Sequence, residues 1–185
     1  YFFIVTERRQ PQGRGLLPIA VIHGCRRQHK LRRQKLIDAG RMQATRTSDC
    51  IRRNDMTIYR FLEDAQPELL DQIITLYRRA GWWPEEDADP LLVARIIKGS
   101  HCFLAALDGQ RLAGMGRVIS DRASDAYIQD LTVHPDYRRR GIGTCLVNTL
   151  LKRLQTDGIP WIGLIAERNS FPFYIPFGFE KMPDS

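Results

Sequence analysis

The stretch Val133-His134-Pro135-Asp136-Tyr137-Arg138-Arg139-Arg140-Gly141-Ile142-Gly143-Thr144 decides how the rest of this 185-residue chain reads. An extended run ends at Val133, and Pro135 cannot continue a hydrogen-bonded strand. A helical pattern follows at once: Ile142, Leu146, Val147, Leu150, Leu151 and Leu154 share one face until Asp157-Gly158 ends it. Three arginines and two glycines therefore occupy a strand-to-helix junction. A helix start exposes backbone N–H groups without internal partners and carries the positive end of the dipole. Glycine lets that backbone approach a ligand closely, and arginine offers forked donors to phosphate oxygens. The combination reads as an anion site for a phosphate or pyrophosphate, against the plainer alternative of a tight turn with solvated arginines. No Gly-Lys-Ser/Thr follows, which excludes a nucleotide-triphosphate loop. Leu146 stands where a dinucleotide fingerprint has its third glycine, and no acidic residue ends the next strand.

Working outward from this junction, Ala126–Val133 reads as the strand that feeds it. Before it, His101–Leu107 and Arg111–Ser120 flank the turn Asp108-Gly109 as a β-hairpin. Thr57–Leu62 alternates as a strand. Pro67 suits a first helical position, and Leu69, Leu70, Ile73, Ile74 and Tyr77 keep helical spacing up to Gly81. Leu91–Ile97 is a shorter helix. Beyond the junction, Trp161–Ala166 reads as a strand, Ser170–Pro176 as a short helix or turn, and Phe179 opens one more element. The order predicts an α/β domain with a mixed sheet, without repeats.

Composition narrows the class. Hydrophobic residues at 43% and charged residues at 26% exclude wholesale disorder. No apolar run approaches the roughly 18 residues of a membrane span. The net charge of +7 is unevenly placed: residues 1–55 carry +9 and residues 56–185 carry −2. Residues 26–35 alone hold six basic side chains. The expected division is a basic segment 1–55, either a tail or sequence upstream of a natural start at Met56, and a domain over 56–185. The cysteines Cys25, Cys50, Cys102 and Cys145 form no close pair, so reduced thiols in a cytoplasmic protein are expected. Cys102 and Cys145 read as small buried hydrophobes, and no pair of residues has zinc-ligand spacing.

Arg138, Gly141 and Gly143 match the Arg/Gln-x-x-Gly-x-Gly/Ala hallmark of the GCN5-related N-acetyltransferase (GNAT) superfamily. The lead-in Leu131-Thr132-Val133-His134-Pro135 and the later Phe173-Tyr174-x-x-Phe177-Gly178-Phe179 resemble that superfamily as well. The resemblance implies a mixed, mostly antiparallel central sheet flanked by helices, with acetyl-coenzyme A as donor co-substrate and no metal. Residues Arg138, Arg139, Arg140, Gly141, Ile142, Gly143 and Thr144 would hold the phosphates. The backbone of Leu131, Thr132 and Val133 would pair with the pantetheine arm like an added strand. Tyr174 matches the usual general acid, a phenol that protonates the departing thiolate. The alternative for Tyr174 is a plain core aromatic. The oxyanion of the tetrahedral intermediate would be held by backbone N–H of the strand Ala126–Val133.

The general base is open. The positions that match the family's side-chain bases are Tyr127 and Gln129, neither an ordinary base, and they read as acceptor-lining residues. Asp130 alternates to the other face unless a β-bulge resets the phase. A water chain serves equally well, and His134 reads as a loop histidine. Trp82 and Trp83 fall where the family builds its acceptor entrance, and Glu85, Glu86 and Asp87 beside them would favour a cation; the plainer alternative is a solvated loop with one buried tryptophan. The expected activity is acetyl transfer to a primary amine, small molecule or peptide, away from membranes and nucleic acid, with a homodimer left open. Two rivals stand beside it: a non-catalytic acyl-coenzyme A-binding domain, and nucleic-acid binding through the basic segment. The family's closing strand runs past the Gly-Phe pair, whereas this chain stops six residues after Phe179, so that strand is expected to be cut short.

Overall fold

Five consecutive buried residues, 102–106, show how the layers are arranged. A strand buried on both faces needs cover on both, and alternation hands each side chain to a different layer. Leu104 and Ala106 join a cluster with Leu146, Leu150 and Leu154, while Phe103 and Ala105 join Leu70, Ile73 and Val93. The computed structural model describes residues 5–9, 57–84 and 89–181.

The strands are β1 (Val5–Arg9), β2 (Ile58–Leu62), β3 (Cys102–Asp108), β4 (Arg111–Ser120), β5 (Asp125–Val133), β6 (Trp161–Ile165) and β7 (Glu180–Lys181). They form one sheet in the order β2-β3-β4-β5-β6-β1-β7, antiparallel throughout except where β5 and β6 run parallel. Helices α1 (Pro67–Arg79) and α2 (Pro90–Gly99) cover one face. Helix α3 (Ile142–Thr156) covers the other, and α4 (Phe171–Tyr174) closes the C-terminal side. The expected mixed sheet flanked by helices is the observed fold.

Local chemistry explains the helix ends. Pro67 and Pro90 sit in the first turns, where an N–H would go unused. Asp89 caps α2 by accepting from the Leu91 N–H at 2.8 Å, a contact worth about 1 kcal/mol. Helix α3 buries six aliphatic side chains, each contributing roughly 1.5–3 kcal/mol, and Cys145.

The sequence reading assigned no element before Thr57, and here the structure differs. Val5–Arg9 pairs with all five residues of β6, from Val5↔Ile165 to Arg9↔Trp161. Only Val5 in this strand is aliphatic, so periodicity gave no signal; pairing along the β6 edge is what makes it a strand. The short strand after Phe179 is present over Glu180–Lys181 and pairs with β1, not with β6. Every described core residue nevertheless lies at or after Tyr59. A chain beginning at Met56 is therefore expected to keep a cooperative melting transition in circular dichroism, lowered by the bare β6 edge. Loss of that transition would make β1 part of the folding unit.

Candidate active site

Strands β5 and β6 pair over four positions only, from Asp125↔Trp161 to Ile128↔Leu164. Past that point they separate, and a cavity of about 620 Å³ opens between them. A β-bulge drives the separation on the β5 side. Arg117 pairs with Gln129 and Met115 with Thr132, so Asp130 and Leu131 together oppose Gly116. Asp130 carries the extra residue's left-handed conformation, with φ 53°. Gly116 makes the room: a Cβ there would lie 2.8 Å from Leu131 Cδ1.

The bulge resets the strand's alternation, the condition under which Asp130 joins the face of Gln129. Both residues now bond to one side chain: Arg117 Nη2 donates to Gln129 Oε1 at 3.2 Å, and Arg117 Nε pairs with the Asp130 carboxylate. Tyr77 of α1 donates its hydroxyl to Asp130 Oδ2 at 2.7 Å. Burial first, and the Asp130 charge second, hold the Tyr77 phenol well above its usual range, which keeps it a donor. The cavity floor is thus a satisfied polar network rather than a bare carboxylate.

At the far end of β5, the turn Pro135–Tyr137 leads into the arginine run. Arg138 Nε donates to the Val133 carbonyl at 3.2 Å and its side chain lines the cavity. Arg140 Nη2 donates to the Asp136 carbonyl at 2.8 Å, with its guanidinium 5.0 Å from the Tyr137 ring centroid. Arg139 and Gly141 have φ 61° and 85°, a left-handed pair around Arg140 that turns the chain into α3. The first intrahelical bond runs from Cys145 N–H to the Gly141 carbonyl. The N–H groups of Ile142, Gly143 and Thr144 accordingly have no acceptor among the described residues. Such donors suit a diphosphate. The Ile142 side chain is buried, so that residue can serve only through its backbone. His134 is a loop residue whose Nδ1 accepts from the Asp136 N–H.

The third wall comes from the segment after β6. Tyr174 is buried, packed edge-on against Phe173 and Phe179, and lines the cavity. Burial, with the nearby Glu167 charge second, pushes its phenol up to about 12. It stays protonated throughout the neutral range. Trp82 also lines the cavity, its Nε1 donating to Glu167 Oε2 at 3.3 Å. Trp83 does not; it stacks on Tyr77 with centroids 4.3 Å apart. Tyr127 and Gln129 lie in the wall, as do Leu131 and Thr132. Val133, Arg139, Arg140 and residues 141–144 surround the arginine turn instead. Glu85, Glu86 and Asp87 lie outside the described residues. Cys102 and Cys145 are buried, and burial pushes the Cys102 thiol up to about 11.

Residues 60–179 match the family model described as the acetyltransferase (GNAT) family. The chain belongs to the GNAT acetyltransferase family. An uncharacterized N-acetyltransferase ycf52 of Pyropia yezoensis is 36% identical over 100 residues, covering 51% of this chain and 58% of that protein. The GCN5-related N-acetyltransferase 2, chloroplastic, of Arabidopsis thaliana is 39% identical over 75 residues, covering 40% of this chain and 29% of that one. These matches span well under two-thirds of either curated relative. A solved GNAT family acetyltransferase from Streptococcus pneumoniae is 28% identical with a TM-score of 0.56, covering 68% of this chain and 88% of that one.

Three charged wall residues of this GNAT domain were not legible in the sequence: Arg79, Glu167 and Arg168. A usable signal was present. Parallel strands end on the same side of a sheet, so whatever follows β6 must face whatever ends β5. Among the described residues, no group of three or more His, Cys, Asp or Glu could hold a metal ion, and no helix is long and apolar enough to cross a membrane.

Proposed function

We propose that this GNAT domain moves an acetyl group from acetyl-coenzyme A to a primary amine by direct attack. The observation that carries the reading is one cavity with a protonated, buried Tyr174 in one wall and the uncapped start of α3 beyond Arg138. In this reading the N–H groups of Ile142, Gly143 and Thr144 hold the diphosphate, with Arg138, Arg139 and Arg140 around it. The β5 edge from Leu131 to Val133 no longer pairs with β6, and pairs with the pantetheine arm as an added strand.

The amine nitrogen attacks the thioester carbonyl, and a backbone N–H of β5 steadies the oxyanion. The C–S bond then breaks, and Tyr174 gives its phenolic proton to the leaving thiolate. The proton of the ammonium leaves through water, since Asp130 is committed to Arg117 and Tyr77. Buried thiols at Cys102 and Cys145 suit a reducing compartment, a cytoplasm or a plastid stroma.

Release of free coenzyme A tests the activity. It should rise with primary amines and vanish when the matching alcohol replaces the amine. Coenzyme binding without release for any amine would favour the non-catalytic rival.

A further inference from the structure

We infer that the acceptor is a primary amine that also carries an anionic group, a carboxylate or phosphate, held at the cavity rim by Arg79 and Arg168. The inference rests on the proposed transfer and names the class of its acceptor. Both arginines line the cavity, Arg79 from the last turn of α1 and Arg168 from the loop after β6. They meet at the same rim. The Nη2 of Arg168 lies 3.1 Å from where a Cβ on Gly81 would sit, so its guanidinium lies on the turn that follows Arg79. Arg168 and Asn169 hold φ 51° and 60°, two successive left-handed residues that are not glycine. Such backbone persists where surrounding structure enforces it, often at ligand sites.

Among the described residues, the charges around the rim do not balance. Neither the Arg79 nor the Arg168 guanidinium has a hydrogen-bonding or ion-pair partner among the described residues. Of the two carboxylates in the wall, Asp130 is neutralised by Arg117. Glu167 alone remains, touched by Trp82 Nε1 at one oxygen. Two guanidinium forks without a partner among the described residues, beside one open carboxylate, make a complementary surface for a ligand bearing both charges. Its anion would meet the forks, and its ammonium would meet Glu167. Arg138 also lines the cavity but is not assigned this role, because its Nε is engaged by the Val133 carbonyl beside the α3 start.

The test compares 4-aminobutanoate with 4-aminobutanamide and 1,4-diaminobutane, amines of equal chain length. Full-length protein loaded with coenzyme A is titrated with each by calorimetry, and turnover with acetyl-coenzyme A is read in parallel. The anionic amine should bind, and be used, about tenfold or more better than the amide, the scale of one charge-assisted pairing. In the Arg79→Gln/Arg168→Gln variant that preference should disappear, with amide binding and acetyl-coenzyme A affinity unchanged. Lysines at both positions should restore part of it. Equal binding of acid and amide, binding of neither, or preference for the diamine would overturn the inference. A fall in acetyl-coenzyme A affinity would overturn it too, by assigning these arginines to the donor. Selective binding of the anionic amine without any turnover would instead refute the transferase reading and leave the anion site standing.

Discussion

Replacing Gly143 by aspartate is expected to weaken acetyl-coenzyme A binding by more than about 100-fold, since juxtaposed like charges cost several kcal/mol. Two effects act together. A Cβ at Gly143 would lie 3.3 Å from Phe173 Cζ and 3.7 Å from Val133 Cγ2, so the ring must give way slightly. The carboxylate then stands among the N–H groups of Ile142, Gly143 and Thr144 that are free to hold a diphosphate. The fold should not suffer, because a negative side chain in the first turn of α3 complements the helix dipole. Calorimetry on the aspartate and alanine variants separates the effects, alanine testing the Cβ alone. Unchanged affinity in the aspartate variant would remove the α3 start as the phosphate site.

Tyr174→Phe should leave donor affinity nearly intact and lower turnover by roughly 10²-fold or more, the usual scale for a positioned acid. The ring keeps its edge contacts with Phe173 and Phe179 and loses only its donor. The pH profile gives a second readout. Because the phenol is pushed up to about 12, the rate should show no Tyr174 limb at pH 10.0, where an unshifted phenol would be half ionised. The same shift bears on stability. The unfolded phenol ionises near 10.0 while the folded one keeps its proton to about 12, so the unfolded state loses its proton first. Stability should therefore fall as pH rises across that interval, and Tyr77 acts in the same direction. Normal turnover in the phenylalanine variant would show that solvent protonates the thiolate. Lost donor binding would make Tyr174 structural.

The arginine-glycine junction, the amphipathic α3 and the element order from residue 57 onward were all legible in the sequence. Each depends on local chemistry: a proline that ends a strand, a 3.6-residue apolar period, a helix start left without a cap. Family membership follows from the same residues. Tyr174 was legible as a residue, but its protonation state at high pH was not, because that depends on burial and on the nearby Glu167 charge.

What only the tertiary structure decided is how distant segments face one another. Asp130 joins the Gln129 face because a bulge opposite Gly116 shifts the strand by one residue, and strand alternation alone carries no record of that shift. Trp83 leaves the entrance because Tyr77, on α1, offers it a stacking partner, while Trp82 stays in the wall. Arg79 and Arg168 stand 89 positions apart in the sequence and share a rim because α1 and the parallel strand β6 both end there. Sequence fixes the local conformations through short-range sterics and hydrogen bonding. The cavity's charge pattern arises from long-range packing, which brings those conformations into one place.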